Sequence, residues 1–291
     1  MSWRPRLWAP LLLAVSAATP AAAGTGIPLG PQHLPPGSLG ATYTGTMWIA
    51  QPQTVLAELA AARRAGARVF LNLSTTKGAQ AEDGTFSLER WKQRIDRFRN
   101  IDLEPYVRDG TILGHYVMDE PHSASNWGGK PVPFADIEAA ARYSKTLWPA
   151  MTTFVRTHPE FLEAAPFRWV YVDAAWAQYT ARRGDVAAYL KRQVETARRL
   201  DLGLVVGLNL LNGGTAESGI PGFHKGRWAM SAGQIRSLGR ALAAEPYACA
   251  FSMWKYDKAD PSYLQRADIK AALAEVAEVA ANRPRTSCRV R

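Results

Sequence analysis

Two adjacent carboxylates, Asp119 and Glu120, stand directly before Pro121 at the end of an apolar run. Pro121 has a fixed backbone angle φ, which restricts the turn that follows Glu120. A third carboxylate, Asp173, ends another apolar run. Two carboxylates that face each other can hydrolyse a glycosidic bond, because one protonates the leaving oxygen while the other acts as nucleophile or base. We therefore interpret Glu120 and Asp173 as a candidate catalytic pair, and Asp119 either as a residue that orients Glu120 or as a helix cap.

The elements that would position these residues alternate regularly along the chain. Short apolar runs followed by amphipathic helical patterns predict βαβ units around a parallel sheet, and a chain of 291 residues fits one α/β barrel. Seven strands are predicted, at residues 41–47, 68–73, 112–118, 152–157, 169–173, 204–209 and 249–254. The sequence thus predicts an α/β fold with a single (β/α)8 barrel of the TIM type. An eighth strand is expected between residues 99 and 112, where the sequence is helix-like, so this strand is degenerate or the barrel is incomplete.

The first residues have the pattern of a signal peptide. Arg4 and Arg6 precede a short apolar run, and the small residues 21–24 follow it. We predict a signal peptide at residues 1–23, an extended lead-in at 24–39, the catalytic barrel at 40–284 and a C-terminal tail at 285–291. The apolar run is shorter than the ~20 residues that span a bilayer. We therefore expect a secreted or periplasmic protein with no transmembrane segment, and we expect it to be a monomer.

The ends of barrel strands meet at one face, the mouth, where barrel enzymes carry their chemistry. Side chains alternate along a strand, and this parity places Glu120 toward the mouth and Asp119 away from it. Trp254 could fill the core or stack on a sugar, and its place at a strand end favours stacking. The side chains predicted to bind substrate are Asn72, Tyr116, Trp127, Arg156, His158, Tyr171, Trp176, Gln178, Asn209, Trp254 and Tyr256.

The net charge of +10 could indicate an acidic partner. The arginines are scattered over the predicted helices and form no dense tract, so we predict no nucleic-acid partner. Attraction to an anionic polymer of the cell envelope is the alternative that the charge leaves open. The predicted partner is a carbohydrate substrate.

Other kinds of catalytic site lack their signatures in this sequence. We find no phosphate loop, no Gly-x-Ser-x-Gly elbow and no closed set of metal ligands, and we therefore expect no cofactor and no metal. Cys249 opens the last predicted strand and Cys288 follows the last predicted helix. Both should lie at the end of the barrel opposite the mouth, where an exported protein could join them in a disulfide.

Two segments resemble those of known barrel glycoside hydrolases. Residues 114–121, Gly-His-Tyr-Val-Met-Asp-Glu-Pro, resemble the strand that ends in Asp-Glu-Pro or Asn-Glu-Pro in those enzymes. Residues 251–254, Phe-Ser-Met-Trp, resemble their last strand, which carries a sugar-stacking Trp. The resemblance implies that Glu120 is the general acid and that Trp254 is a sugar platform.

The sequence departs from these families at definite positions. The large retaining superfamily carries a nucleophilic Glu where this chain has Asn209. The order of Glu120, Tyr171 with Asp173, and Trp254 is similar to that of chitinase-type barrels, but the acidic repeat of that family is absent. We expect a secreted glycoside hydrolase; the alternative is a non-catalytic glycan-binding barrel of the cell envelope. An arginine bound to Glu120 would favour binding alone.

Overall fold

Eight parallel strands alternate with helices in the computed structural model, which describes Met1 and residues 26–290. The strands lie side by side in the order β1-β8-β7-β6-β5-β4-β3-β2. They are β1 (Leu29–Pro31), β2 (Gly45–Ile49), β3 (Arg68–Asn72), β4 (Ile112–Asp119), β5 (Thr153–Arg156), β6 (Ala174–Tyr179), β7 (Gly203–Leu208) and β8 (Ala248–Met253). The predicted (β/α)8 fold is confirmed, while the predicted signal peptide falls, apart from Met1, outside the described residues.

Helices surround the strands and return the chain from the mouth to the opposite end of the barrel. They are α1 (Val55–Arg64), α2 (Leu88–Asp96), α3 (Glu104–Arg108), α4 (Phe134–Leu147), α5 (Pro159–Glu163), α6 (Val186–Arg199), α7 (Ala232–Gln234), α8 (Arg240–Ala244), α9 (Ser262–Gln265) and α10 (Ala267–Asn282). A π-helical turn at Ile235–Gly239 joins α7 to α8. None of the helices within residues 26–290 is long and apolar enough to cross a membrane.

The eighth strand is β1, which lies inside the segment predicted as a lead-in. The prediction of a strand between residues 99 and 112 is wrong, because that stretch holds α3. β1 pairs with β8, and its other edge meets β2 where the backbone nitrogen of His33 donates to the carbonyl of Met47 at 2.8 Å. Gly30 and Gly45 let the two backbones approach, since a Cβ on Gly30 would collide with the carbonyl oxygen of Gly45. This seam closes the barrel.

β6 begins directly after the segment that was predicted to be the strand. The backbone nitrogens of Val170 and Tyr171 donate to the Oε1 atom of Glu138, at 2.7 and 3.0 Å, instead of joining a strand ladder. The ladder with β7 runs instead from Ala174 to Tyr179. The predicted strand 169–173 is therefore wrong, and the residues at its end move to the other side of the barrel.

Side chains from facing strands fill the barrel interior. Phe70 and Phe154 pack edge to face with their centroids 4.6 Å apart. Tyr116, Trp176 and Val205 belong to the same buried cluster. Two larger apolar clusters lie between the strands and the surrounding helices. The interior is thus a packed support for the polar side chains at the strand ends.

Cys249 and Cys288 form a disulfide with their sulfur atoms 2.02 Å apart, the bond that the sequence left possible. The bond ties the C-terminal tail to the start of β8. Both residues are buried, and the backbone of Cys288 approaches Gly203 at the start of β7. The disulfide therefore closes the end of the barrel opposite the mouth.

Candidate functional site

An irregularity in β4 turns Asp119 into the barrel mouth. The register of β4 against β5 pairs Tyr116 with Phe154 but Met118 with Val155, so one residue of β4 is inserted without a partner. A bulge of this kind reverses the alternation of side chains beyond it. Val117 and Met118 both pack in the outer apolar cluster, whereas Asp119 turns inward. The prediction that Asp119 faces away from the mouth is wrong.

Asp119 accepts two short hydrogen bonds in the mouth. The Tyr116 hydroxyl donates to its Oδ1 atom at 2.7 Å, and the Nη1 atom of Arg156 donates to the same oxygen at 2.8 Å. Tyr116 is almost fully buried, and burial, followed by the charge of Asp119, raises the pKa of its hydroxyl well above the usual value. Tyr116 therefore stays a neutral donor that positions Asp119.

Glu120 occupies a backbone conformation that is unfavourable for its residue type. Its φ angle is +43°, in the left-handed region that glycine adopts without strain. The backbone is held there by a bond from its nitrogen to the carbonyl of Arg156 at 2.9 Å. The indole nitrogen of Trp127 donates to its carbonyl at 3.2 Å. A strained residue that its surroundings hold so firmly points to a role for its side chain.

Both oxygens of the Glu120 carboxylate have donors. Oε1 lies 3.2 Å from the Nη2 atom of Arg156, and Oε2 accepts from the amide of Asn126 at 3.1 Å. The side chain is nevertheless 34% exposed, so a ligand in the mouth could reach it. Asn126 was not predicted; it belongs to the short turn after β4, and no sequence signal distinguishes it.

Arg156 joins the two carboxylates. Its guanidinium donates to Asp119 and also to the Oε1 atom of Gln178, and it lies over the ring of Trp176 with 4.9 Å to the centroid. Its side chain is only 8% exposed. Burial by itself lowers the pKa of Arg156, but the charges of Asp119 and Glu120 outweigh it and raise the pKa above its usual value. Arg156 therefore carries a permanent positive charge between two carboxylates.

Asp173 lies at the opposite end of the barrel from Glu120. Its backbone nitrogen donates to the carbonyl of Thr153, where β5 begins. Its carboxylate bonds to the Nζ atom of Lys145 at 2.5 Å and approaches the Arg289 guanidinium at 3.7 Å. The prediction that Asp173 is the partner carboxylate is corrected, because β6 starts after this residue. Tyr171 shares this correction, since its carbonyl accepts from the Thr153 hydroxyl at the same end.

Two of the predicted stacking residues are buried supports. Trp176 is 3% exposed and lies beneath Arg156 inside the barrel. Trp127 is 2% exposed and packs edge to face on Phe86 while its indole holds the carbonyl of Glu120. Neither ring presents an open face to a sugar. Both position the groups that do reach the mouth.

The polar side chains that were predicted to bind substrate form hydrogen bonds mainly within the protein. The Oδ1 atom of Asn72 accepts from the backbone nitrogen of Ser74 at 3.1 Å, and that of Asn209 accepts from the backbone nitrogen of Asn212 at 2.9 Å. His158 faces away toward Tyr189 on α6, with 3.4 Å between its Nδ1 atom and the Tyr189 hydroxyl. Gln178 keeps its Nε2 atom buried and without a partner in the described chain.

Trp254 forms one part of an aromatic wall at the mouth. The ring of Phe223 packs edge to face on it at 5.5 Å, and the ring of His224 lies 5.8 Å from it at a 30° angle. Phe223 is 45% exposed. Tyr256, which parity grouped with Trp254, instead lines an outer groove of about 540 Å³ beside Tyr43 and Leu264. We call Phe223, His224 and Trp254 the aromatic wall.

Residues beside this wall make that part of the mouth basic. His33 follows β1 with a φ angle of +64°. Burial, and then the charges of Lys255 and Lys258, lower its pKa to about 4, while Asp119 acts in the opposite direction. The backbone nitrogen of Tyr256 donates to the carbonyl of Gln32 at 2.8 Å, so the segment that holds Lys255 lies beside the segment that holds His33. His33 was missed because it stands in the segment predicted as a lead-in, and Lys255 because only its neighbour Trp254 belongs to a recognisable motif.

No family model matches this chain, and no curated protein matches it. Solved structures share its fold. A β-glucanase from Saccharophagus degradans aligns with a TM-score of 0.56 and 11% identity over 84% of this chain and 80% of its own. An endocellulase variant from Pyrococcus horikoshii, in complex with cellotetraose, aligns with a TM-score of 0.51 and 10% identity over 82% of this chain and 83% of its own. The chain therefore has the barrel fold of these glycoside hydrolases, at identities that establish the fold alone.

Proposed function

We propose that this protein hydrolyses a glycan, with Glu120 as the carboxyl group that exchanges a proton with the glycosidic oxygen. The observation that carries the proposal is the strained, left-handed Glu120 at the end of β4, with a carboxylate that is hydrogen-bonded yet one-third exposed. Its neighbours fix the direction of that carboxylate. Proton transfer requires such a positioned carboxyl group within reach of the substrate.

The proposed mechanism needs only one proton-transferring residue. Asp119 and Glu120 lie side by side on one guanidinium, and the residues that end the other seven described strands are not acidic. A protein carboxylate therefore does not face Glu120 across the mouth from a strand end. Glu120 gives its proton to the leaving oxygen, and the water that attacks the sugar, or that later opens a bond formed by a group of the substrate, returns a proton to the Glu120 carboxylate. We assign to Asp119 the stabilisation of the cationic transition state.

A second candidate, glycan binding without hydrolysis, is favoured by one contact. The Nη2 atom of Arg156 lies 3.2 Å from Glu120, and an arginine on this carboxylate is the feature expected of a binding protein. In that case Glu120, Asp119 and the aromatic wall would accept and stack the sugar, and no bond would break.

The two candidates differ in the effect of Glu120→Gln. The purified protein and this variant should be incubated with a panel of polysaccharides, and both released reducing ends and retained binding should be measured. The variant keeps the size of the side chain but cannot transfer a proton, so hydrolysis should fall by at least about 100-fold with binding retained. Glu278→Gln, on the exposed face of α10, is the matched control.

Three results are informative in this comparison. Hydrolysis by the native protein that persists in Glu120→Gln would refute the assignment of Glu120. Binding by both forms with no product from either would favour the second candidate. Binding to none of the polysaccharides would refute both candidates.

A further inference from the structure

We propose that the mouth selects a sugar that carries an acidic group, a carboxylate or a sulfate, and that Lys255 binds this group. The proposal rests on the proposed function and names its substrate class. It follows from the position of one ammonium group on the aromatic wall.

Lys255 covers the face on which a neutral sugar would have to stack. Its Nζ atom lies 4.3 Å from the ring centroid of Phe223 and 5.6 Å from that of Trp254. Such an ammonium is held over the negative face of each ring. A ligand that approaches the wall therefore meets a positive charge before it meets the rings. A neutral sugar would have to displace that charge, whereas an acidic sugar would use it.

The ammonium of Lys255 has no carboxylate to neutralise it. Within the described residues it lies within 4 Å of no Asp or Glu oxygen, and its only close contacts given by the structure are the two rings. The side chain is partly buried, so its charge is screened less than that of a freely exposed lysine. It can bind an anion without first losing an internal partner.

The surrounding groups extend this positive charge. The backbone nitrogen of Tyr256 donates to the carbonyl of Gln32 at 2.8 Å, which joins the segment that holds Lys255, after β8, to the segment that holds His33, after β1. The charges of Lys255, Lys258 and Arg156 all lower the pKa of His33. Asp119 and Glu120 occupy the β4 side and are shared by Arg156. The mouth is thus divided into a proton-transferring side and a basic side. A glycan that spans it would place one sugar at Glu120 and an acidic substituent of the same or the next sugar at Lys255.

The aromatic wall is fixed well enough to hold Lys255 in place. The backbone nitrogen of Phe223 donates to the carbonyl of Leu211 at 2.9 Å, and that of His224 donates to the Oδ1 atom of Asn212 at 2.9 Å. Asn212 in turn donates to Asn209. Asn209 therefore shapes the basic side of the mouth through this loop and is a positioning residue.

The test compares acidic glycans with their own neutral forms. Binding to the Glu120→Gln variant, which is not expected to consume the ligand, should be measured for uronate polymers and for the same polymers after reduction of each carboxylate to an alcohol. Sulfated glycans and their desulfated forms make up the second arm. We expect at least one acidic glycan to bind about 10-fold more tightly than its neutral form, as a charge-assisted contact allows. The arm that shows the preference identifies the acidic group.

Lys255→Gln in the same background should remove most of this preference. Lys191→Gln, an exposed change on α6 with the same loss of charge, should leave it unchanged. The proposal is overturned if neutral forms bind as well as acidic ones, or if the two lysine variants behave alike. In the first case glycan binding, and with it the proposed function, survives. Binding to no glycan of either kind would instead refute the proposed function itself.

Discussion

Replacement of Arg156 by Met should destabilise the protein much more than loss of an exposed ion pair of similar length. Arg156 lies 2.8 Å from Asp119 and 3.2 Å from Glu120, and its own side chain is 8% exposed. Removing one partner of a buried ion pair costs about 3–5 kcal/mol. The two carboxylates keep 32% and 34% exposure, and water would partly solvate them, so we expect a loss of about 2–3 kcal/mol.

The matched control is Arg168→Met. Arg168 lies 2.6 Å from Asp201, but these side chains are 87% and 50% exposed. The free energy of unfolding should therefore fall by less than about 1 kcal/mol. Urea unfolding followed by tryptophan fluorescence measures both variants at pH 7. A second comparison places Arg156→Met in a background with Asp119→Asn and Glu120→Gln, where no charge is left unpaired.

In that neutral background the cost of Arg156→Met should fall to about 1 kcal/mol, because only packing and neutral hydrogen bonds remain to be lost. Equal losses for Arg156→Met and Arg168→Met would show that burial does not strengthen the Arg156 contacts. An unchanged cost in the neutral background would show that the two carboxylates are not what Arg156 stabilises. Either result would refute the electrostatic account of the mouth.

Three further predictions concern stability and strain. Replacing Cys249 and Cys288 together by Ser should lower the free energy of unfolding by about 4 kcal/mol, because the disulfide closes a loop of 39 residues; urea unfolding that is unaffected by the change would contradict this. The pKa of His33 in the folded protein is lowered to about 4, so the unfolded chain takes up a proton first as the pH falls. The free energy of unfolding should therefore fall between pH ~6.5 and ~4, by up to ~1.4 kcal/mol per pH unit from this histidine. His33→Gln should reduce that slope. Glu120→Gly should relieve roughly 1 kcal/mol of left-handed strain. The free energy of unfolding should therefore change by less than about 1 kcal/mol, while hydrolysis is lost. A fall of several kcal/mol in the free energy of unfolding would mean that the glutamate has a structural role.

The parts of the fold that follow a strong pattern could be predicted from the sequence. The runs that became β3, β4, β7 and β8 are rich in β-branched and apolar residues, and their predicted ranges overlap the observed strands. The Cys249–Cys288 disulfide followed from the place of each cysteine in the βα order. These inferences succeed because alternation and element order are properties of the chain itself.

Two strands could not be located in this way. β1 is only Leu-Gly-Pro, which reads as a loop, and it is a strand because β8 and β2 offer edges on both sides. β6 begins with Ala-Ala, whereas the preceding Trp-Val-Tyr-Val consists of aromatic and β-branched residues, which favour strands. Small residues are favoured inside a barrel for reasons of space, and tertiary context overrides their weak strand propensity. Because the strand was predicted at residues 169–173, Asp173 was expected at a strand end in the mouth, whereas it precedes β6.

The composition of the site depends most on the single residue inserted in β4. Without the bulge between Tyr116 and Met118, strict alternation would direct Glu120 inward and Asp119 outward, and Arg156 would meet one carboxylate. With it, Asp119 comes into register with Arg156, and Glu120 must take a left-handed turn before Pro121. Both carboxylates then reach the same guanidinium. The acidic motif is visible in the sequence, but its chemistry is set by a backbone irregularity that side-chain types do not encode. Deletion of Val117 would remove the inserted residue and leave Met118 opposite Val155 and Asp119 opposite Arg156, so the Asp119–Arg156 pair should survive it. A crystal structure of this variant in which the pair is lost would contradict this account of the bulge.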